Sequence, residues 1–201
     1  MAATRPAAAR PRALIAFLAV AAAIVVGDQL LKAWVVGSFS FGARPTQIVG
    51  DWLEIDLIHN AGGLFGMLQG SAPLLGLISV AVLVVLVAIE WRMGWRSWLL
   101  TLTLALLLGG AIGNLVDRMR FGYVVDFVNI GIGSWRFYVF NLADSAVTVS
   151  ICLVLGISLL GPWLEKRFGI NLMGDPADKA GAAPRCVAAV GGPDGPESGE
   201  R

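Results

Sequence analysis

The chain has 201 residues, 57% of them hydrophobic and only 14% charged, with a formal net charge of +1. Its length suffices for one domain with a real core, but apolar runs near the bilayer-spanning length recur, which excludes an ordinary soluble domain and implies a polytopic membrane protein. The near-neutral charge argues against a nucleic-acid or polyanionic partner, and two cysteines, Cys152 in an apolar run and Cys186 beyond it, make neither a disulfide framework nor a zinc site.

Residues 1–12, "MAATRPAAARPR", are rich in Ala, Pro and Arg and are expected to be a disordered cytoplasmic stretch. The first apolar segment runs from Ala13 to about Phe39. Arg10 and Arg12 before it resemble the start of a secretory leader, but the apolar pattern resumes past Asp28 as "QLLKAWVV", so a retained helix is expected. The second segment, "APLLGLISVAVLVVLVAI", is residues 72–89, the third spans Trp98 to Val116, and the fourth runs from Ala143 to about Leu164. Each approaches the roughly 20 residues a spanning helix needs. The stretch 169–201 is Gly/Pro/Ala-rich without periodicity and is expected to be a disordered cytoplasmic tail.

Four spans put both termini on one side. Arg5, Arg10, Arg12, Arg92, Arg96, Lys166 and Arg167 fall on that side, and Arg44, Arg118, Arg120 and Arg136 on the other. The excess places the termini in the cytoplasm and the connections 40–71 and 117–142 outside. Both connections alternate like strands. In "DWLEIDLIHN", Leu53, Ile55 and Leu57 share one face while Glu54 and Asp56 take the other. In "FVNIGIGSWRFYVF", "GIGS" is a turn signal between two β-rich runs. The fold class expected is therefore an all-α membrane protein, four transmembrane helices carrying a small extracytoplasmic β-sheet of about four strands.

The polar residues of these apolar segments gather at the outward helix ends. Asn141, Asp144, Ser145 and Thr148 line one face of the fourth helix. Asn114, Asp117 and Arg118 do so on the third, where Gly110 and Gly113 allow close approach of a neighbour. Asp28 and Lys32 form an i, i+4 acid-then-base pair on the first, which reads as an ion pair tying helices together. Arg118 reads as a clamp on Asp117 or on a backbone carbonyl, and Asn60, Asn114 and Asn141 as interhelical hydrogen bonders. Asp126 and Asp144 are different, because each stands in apolar company and a hairpin between them lets them meet. Facing carboxyls in a low-dielectric site share a proton and titrate as a unit, the aspartic-protease arrangement. On local physics alone, structural or proton-relay roles stay open for both. His59 is the only histidine and lacks ligand-spaced companions, so neither a metal nor another cofactor is expected. No nucleophile elbow or nucleotide-binding glycine motif is present.

Four ordered blocks, "DQLLK" (28–32), "HNAGGLFG" (59–66), "GNLVDRMRFGYVVDF" (113–127) and "FNLADS" (140–145), closely resemble the bacterial lipoprotein signal peptidases, also called signal peptidase II. The resemblance covers about 13–168 and implies a four-helix intramembrane peptidase domain. It implies an aspartic endopeptidase that cleaves diacylglyceryl-modified prolipoproteins just before the lipidated cysteine. Asp126 and Asp144 match the family's catalytic pair; Asp28, Lys32, Asn60, Asn114, Arg118 and Asn141 match its supporting or substrate-binding positions. The second block departs slightly, since the family often has alanine where Gly63 or Leu64 stands, and the tail lies outside the family pattern. The implied setting is the cytoplasmic membrane, in contact with lipid, with the active site at the outer face and no further subunit required. Trp52 and Trp135 are expected at the interface, and the glycines of "GGLFG" as hinges of a lid. A proton-coupled transporter and a non-catalytic membrane scaffold are the rival readings. Polar groups at one end of the bundle rather than along a path disfavour the first, and the second requires that neither aspartate matter.

Overall fold

A computed structural model describes residues 9–62 and 97–168, together with isolated positions between 74 and 88. Helix α1 spans Ala9–Ser38, starting ahead of the apolar run and inside the stretch expected to be disordered. Pro11 is compatible with that, since a proline in a first helical turn forfeits no intrahelical bond. Strands β1 (Thr46–Val49) and β2 (Leu53–Asn60) follow. Helix α2 is Trp98–Phe121, strands β3 and β4 are Val124–Ile132 and Trp135–Arg136, and helix α3 is Leu142–Phe168.

Among the described residues, three helices are long and apolar enough to cross a membrane, not the four expected. The expected second span, 72–89, lies outside the described residues except at isolated helical positions such as Leu74, Ile78 and Val84. The three helices display large apolar side chains outward, including Leu18, Leu30 and Trp34 on α1 and Leu155, Leu159 and Trp163 on α3. Helices apolar all round suit a lipid surround.

Between the helices, small residues set the spacing. Phe17 and Ala21 of α1 pack with Leu104, Ala105 and Leu108 of α2. A Cβ on Gly109 would lie 2.8 Å from Ala21 O and Ile24 Cβ, and one on Gly110 2.5 Å from Ala143 O of α3. Helix α2 is thus wedged against both neighbours at consecutive residues, the small-residue packing that membrane helices use for close contact. Its N-terminus is capped by Ser97, and Gly122 at φ 79° ends it in the left-handed conformation that glycine adopts freely.

The four strands form one antiparallel sheet in the order β1-β2-β3-β4. A two-residue turn after Ile132, with Gly133 at φ 57°, joins β3 to β4 as the "GIGS" signal predicts. The simple alternation expected in β2 does not hold. The register shifts between Ile55 and Ile58, and Glu54 is buried rather than on the wet face. A bulge changes which residues face inward, and Glu54 is tolerated there because the Arg136 guanidinium binds it at 2.9 Å. Beneath the sheet, Leu57, Val125 and Phe127 cover Val35 at the end of α1. After β4 the chain turns back along β3, where Val128 and Phe140 exchange backbone hydrogen bonds. This return delivers Asn141 and the start of α3 beside Asp126.

Candidate active site

The eight residues that match the family's catalytic and supporting positions converge at one end of the helices, under the sheet. The pair Asp126 and Asp144 is organised by a single asparagine. Asn141 caps α3: its Oδ1 accepts from the Asp144 amide at 2.9 Å, while its own amide donates to Asp144 Oδ2 at 3.3 Å. This reciprocal arrangement is a capping box, which satisfies two backbone donors that a helix start otherwise leaves open. The same residue's Nδ2 donates to Asp126 Oδ1 at 2.6 Å. One residue therefore holds both carboxyls, Asp126 by its side chain and Asp144 by its backbone amide.

Each carboxyl has a second asparagine donor. Asn60, at the end of β2, donates to Asp126 Oδ2 at 2.9 Å, and Asn114 of α2 donates to Asp144 Oδ1 at 2.8 Å. Asp126 is 2% exposed, and its burial, reinforced by the neighbouring charge of Asp144, pushes its carboxyl up to about 7 against the lowering effect of Asn60 and Asn141. A carboxyl so perturbed keeps a proton near neutral pH, a property concentrated at functional sites.

Arg118 adopts one of its two expected roles. Its Nη1 and Nη2 donate to the carbonyls of Asn114 and Gly62 at 3.3 and 3.2 Å, and it is not the clamp on Asp117. Its buried Nε has no hydrogen-bond partner among the described residues. Gly62 is held from the other side too, since its amide donates to Asn60 Oδ1 at 3.0 Å. The suggested hinge glycines from Gly63 onward lie outside the described residues.

Asp28 and Lys32 form the expected ion pair, at 2.8 Å, but within a larger cluster. Lys32 Nζ is also 2.8 Å from Asp117 Oδ2 and donates to Asn114 Oδ1 at 3.2 Å. All three charged residues are almost fully buried. Gln29, which the sequence reading missed, donates to Asp117 Oδ1 at 2.8 Å and to Asp28 Oδ2 at 3.3 Å. Its signal was a second polar residue adjoining Asp28 in an otherwise apolar helix. Ser145 turns back to the Asn141 carbonyl, and Thr148 is exposed, so the polar face of α3 is used only over its first turn.

His59 stacks between Phe41 and Tyr123, both ring centroids 4.1 Å away, and partial burial holds its pKa below the ordinary histidine value. Among the described residues no cluster of three metal-ligating side chains occurs. Trp52 and Trp135 are exposed on the sheet.

A family model described as Signal peptidase (SPase) II matches residues 20–160. A lipoprotein signal peptidase of Lactobacillus gasseri is 36% identical over 140 residues, covering 70% of this chain and 89% of that protein. One of Burkholderia vietnamiensis is 34% identical over 150 residues, covering 71% and 87%. Two solved structures of a bacterial membrane enzyme, obtained by the in meso method at 2.3 and 1.9 Å, match with TM-scores of 0.66 and 0.65. Their identities are 27% and 28%, and the matches cover 76% and 72% of this chain and 92% of each of theirs. With three membrane-length helices among its described residues, two aspartates held by one asparagine and a family match over most of its length, the chain belongs to the signal peptidase II family of lipoprotein-processing membrane proteases.

Proposed function

We propose that this protein is an intramembrane aspartic endopeptidase that removes the signal peptide from diacylglyceryl-modified prolipoproteins by cutting just before the lipidated cysteine. The observation that carries this reading is Asn141, which holds Asp126 by its side chain and Asp144 by its backbone. Two carboxyls so tied, one of them buried and proton-retaining, make up the acid–base pair that peptide hydrolysis needs.

In the proposed reaction Asp126 carries the shared proton and Asp144, at the positive end of α3, is ionised. Asp144 takes a proton from water as the water oxygen bonds to the scissile carbonyl carbon. Asp126 donates its proton to the carbonyl oxygen, giving a neutral tetrahedral diol. Collapse then breaks the C–N bond. The amine leaves with the proton held on Asp144, and Asp126 recovers one from the diol hydroxyl, so the pair ends with the single proton it began with. Asn60 and Asn114 keep each carboxyl oriented, and the Arg118 Nε–H, without a partner among the described residues, can donate to a substrate carbonyl.

The lipid part of the substrate explains why such a site belongs at a bilayer surface, since a diacylglyceryl group is too apolar to leave it. The proposal places both termini in the cytoplasm and the site at the outer face, in a monomer, with the exposed Trp52 and Trp135 at the headgroup level.

The test is cleavage of a diacylglyceryl prolipoprotein by the detergent-purified chain, comparing wild type with Asp126→Asn and Asp144→Asn, with and without a chelator. Cleavage before the lipidated cysteine, lost in both folded variants and indifferent to chelation, supports the reading. Full activity in either variant sinks it, and proton flux in liposomes then tests the transporter alternative.

A further inference from the structure

Beneath the aspartate pair, one buried ammonium meets three acceptors. Lys32 Nζ lies 2.8 Å from Asp28 Oδ2, 2.8 Å from Asp117 Oδ2 and 3.2 Å from Asn114 Oδ1. An ammonium has three N–H donors and no acceptor, so Lys32 is saturated and has none left for a substrate.

Each of its two acids passes the restraint to a backbone amide. Asp28 Oδ1 accepts from Ala143 N at 3.0 Å, and Asp117 Oδ2 accepts from Val125 N at 3.0 Å. Ala143 immediately precedes Asp144, and Val125 immediately precedes Asp126. The Ala143 amide belongs to the first turn of α3, whose N–H groups have no intrahelical partner, so Asp28 is a cap supplied by a different helix. Gly113 leaves the room: a Cβ there would lie 2.8 Å from Asp28 Oδ2.

The third acceptor sets an amide's orientation. Asn114 Oδ1 faces two donors, Lys32 Nζ and Asn141 Nδ2, each at 3.2 Å, which leaves its NH2 group for Asp144 at 2.8 Å. Were Asn114 reversed, its NH2 would meet the ammonium and its oxygen the carboxylate. Lys32 forbids that flip.

We propose that Lys32 is a positioning residue of the reaction: its single ammonium, through Asp28, Asp117 and Asn114, fixes where both catalytic carboxyls stand relative to each other. The inference rests on the aspartic reading above. It separates Lys32 from a mere helix staple, because a staple would hold the helices without governing either carboxyl's neighbours.

The experiment compares Lys32→Met and the charge-compensated Lys32→Met/Asp117→Asn, in which Asn can still accept from Val125 N, with wild type in the prolipoprotein cleavage assay. Thermal melts in detergent establish which variants fold. The double variant is expected to fold, to keep KM within about threefold, and to lose about 100-fold in kcat, the cost of displacing reacting groups by about 1 Å. Its pH profile of kcat is expected to be displaced, since Asn114 is free to turn its oxygen to Asp144; loosened helices alone would not move it. A folded double variant with wild-type kcat and pH profile overturns the proposal. Should it fail to fold, Gln29→Leu decides, because it loosens the same two acids without removing a charge: kcat must fall several-fold at constant KM, and an unchanged kcat overturns the proposal. Asp126→Asn and Asp144→Asn run alongside. Activity in either means that the aspartic reading itself has failed, whereas their inactivity beside a fully active Lys32 variant means that only the positioning role has.

Discussion

Replacing Gly110 by alanine tests whether the spacing of α2 and α3 sets the reaction rate. The added Cβ would stand 2.5 Å from the Ala143 carbonyl oxygen and 2.8 Å from Val147 Cγ2, both on α3. Non-bonded heavy atoms rest at about 3.5 Å or more, so the helices must part by about 1 Å at that level. Asn114 lies one helical turn beyond Gly110, and its bond to Asp144 is 2.8 Å. A parting of that size carries the bond to about 3.8 Å, past the useful range. Overpacking of this kind costs about 1–3 kcal/mol of stability, which a bundle can survive, while a displacement of about 1 Å in reacting groups costs about 100-fold in rate. The control is Gly156→Ala on α3, where an added Cβ meets nothing within 4 Å. Both changes carry the same backbone-entropy gain, so their ratio isolates the steric effect. The assay is kcat on a diacylglyceryl prolipoprotein, with detergent melting to verify folding. A Gly110→Ala variant within about threefold of the control in kcat would refute the reasoning.

Asn141 separates two contributions. Asn141→Ala is expected to lower stability by about 0.5–2 kcal/mol through loss of the helix cap and to abolish most cleavage. Asn141→Ser restores a capping oxygen but does not reach Asp126, so melting should recover while kcat does not; recovery of both would contradict the shared-anchor role. The pH dependence follows from Asp126, pushed up to about 7. Its protonated carboxyl is the active acid, so kcat should fall as pH rises through about 7, and a flat profile from about pH 6 to about pH 9 would exclude it as the proton donor. The same shift has a stability consequence. The folded chain keeps a proton that the unfolded chain releases in the ordinary aspartate range, so this stabilisation is complete below that range and is lost as pH rises through about 7. Melting of wild type against Asp126→Asn across that window checks the sign.

Much of the site was legible because a charge in an apolar segment needs a partner. Asp28, Lys32, Arg118, Asp126 and Asp144 stood out by that rule, Asn114 and Asn141 by sharing helix faces with charged residues, and with Asn60 they meet in the structure. Gln29 escaped it because a neutral amide beside an acid carries a weak signal, and its two carboxylate partners come from α1 and α2 together. Glu54 was misplaced because alternation assumes an unbroken register, and a bulge in β2 is decided by pairing with β3.

The sequence by itself determined three described helices of membrane length, the turn at Gly133, Gly110 and Gly113 at the helix contacts and the family, since each depends on local composition, local backbone conformation or ordered motifs. Only the tertiary structure decided that Asn141 serves both aspartates, that Arg118 holds carbonyls rather than Asp117, and that Lys32 links the amides ahead of both carboxyls. The physical reason is that hydrogen bonds have direction and a limited number of donors. Which of several nearby acceptors a donor takes depends on atomic positions to within about half an ångström, set by how three helices and a sheet pack rather than by any residue's neighbours in the chain.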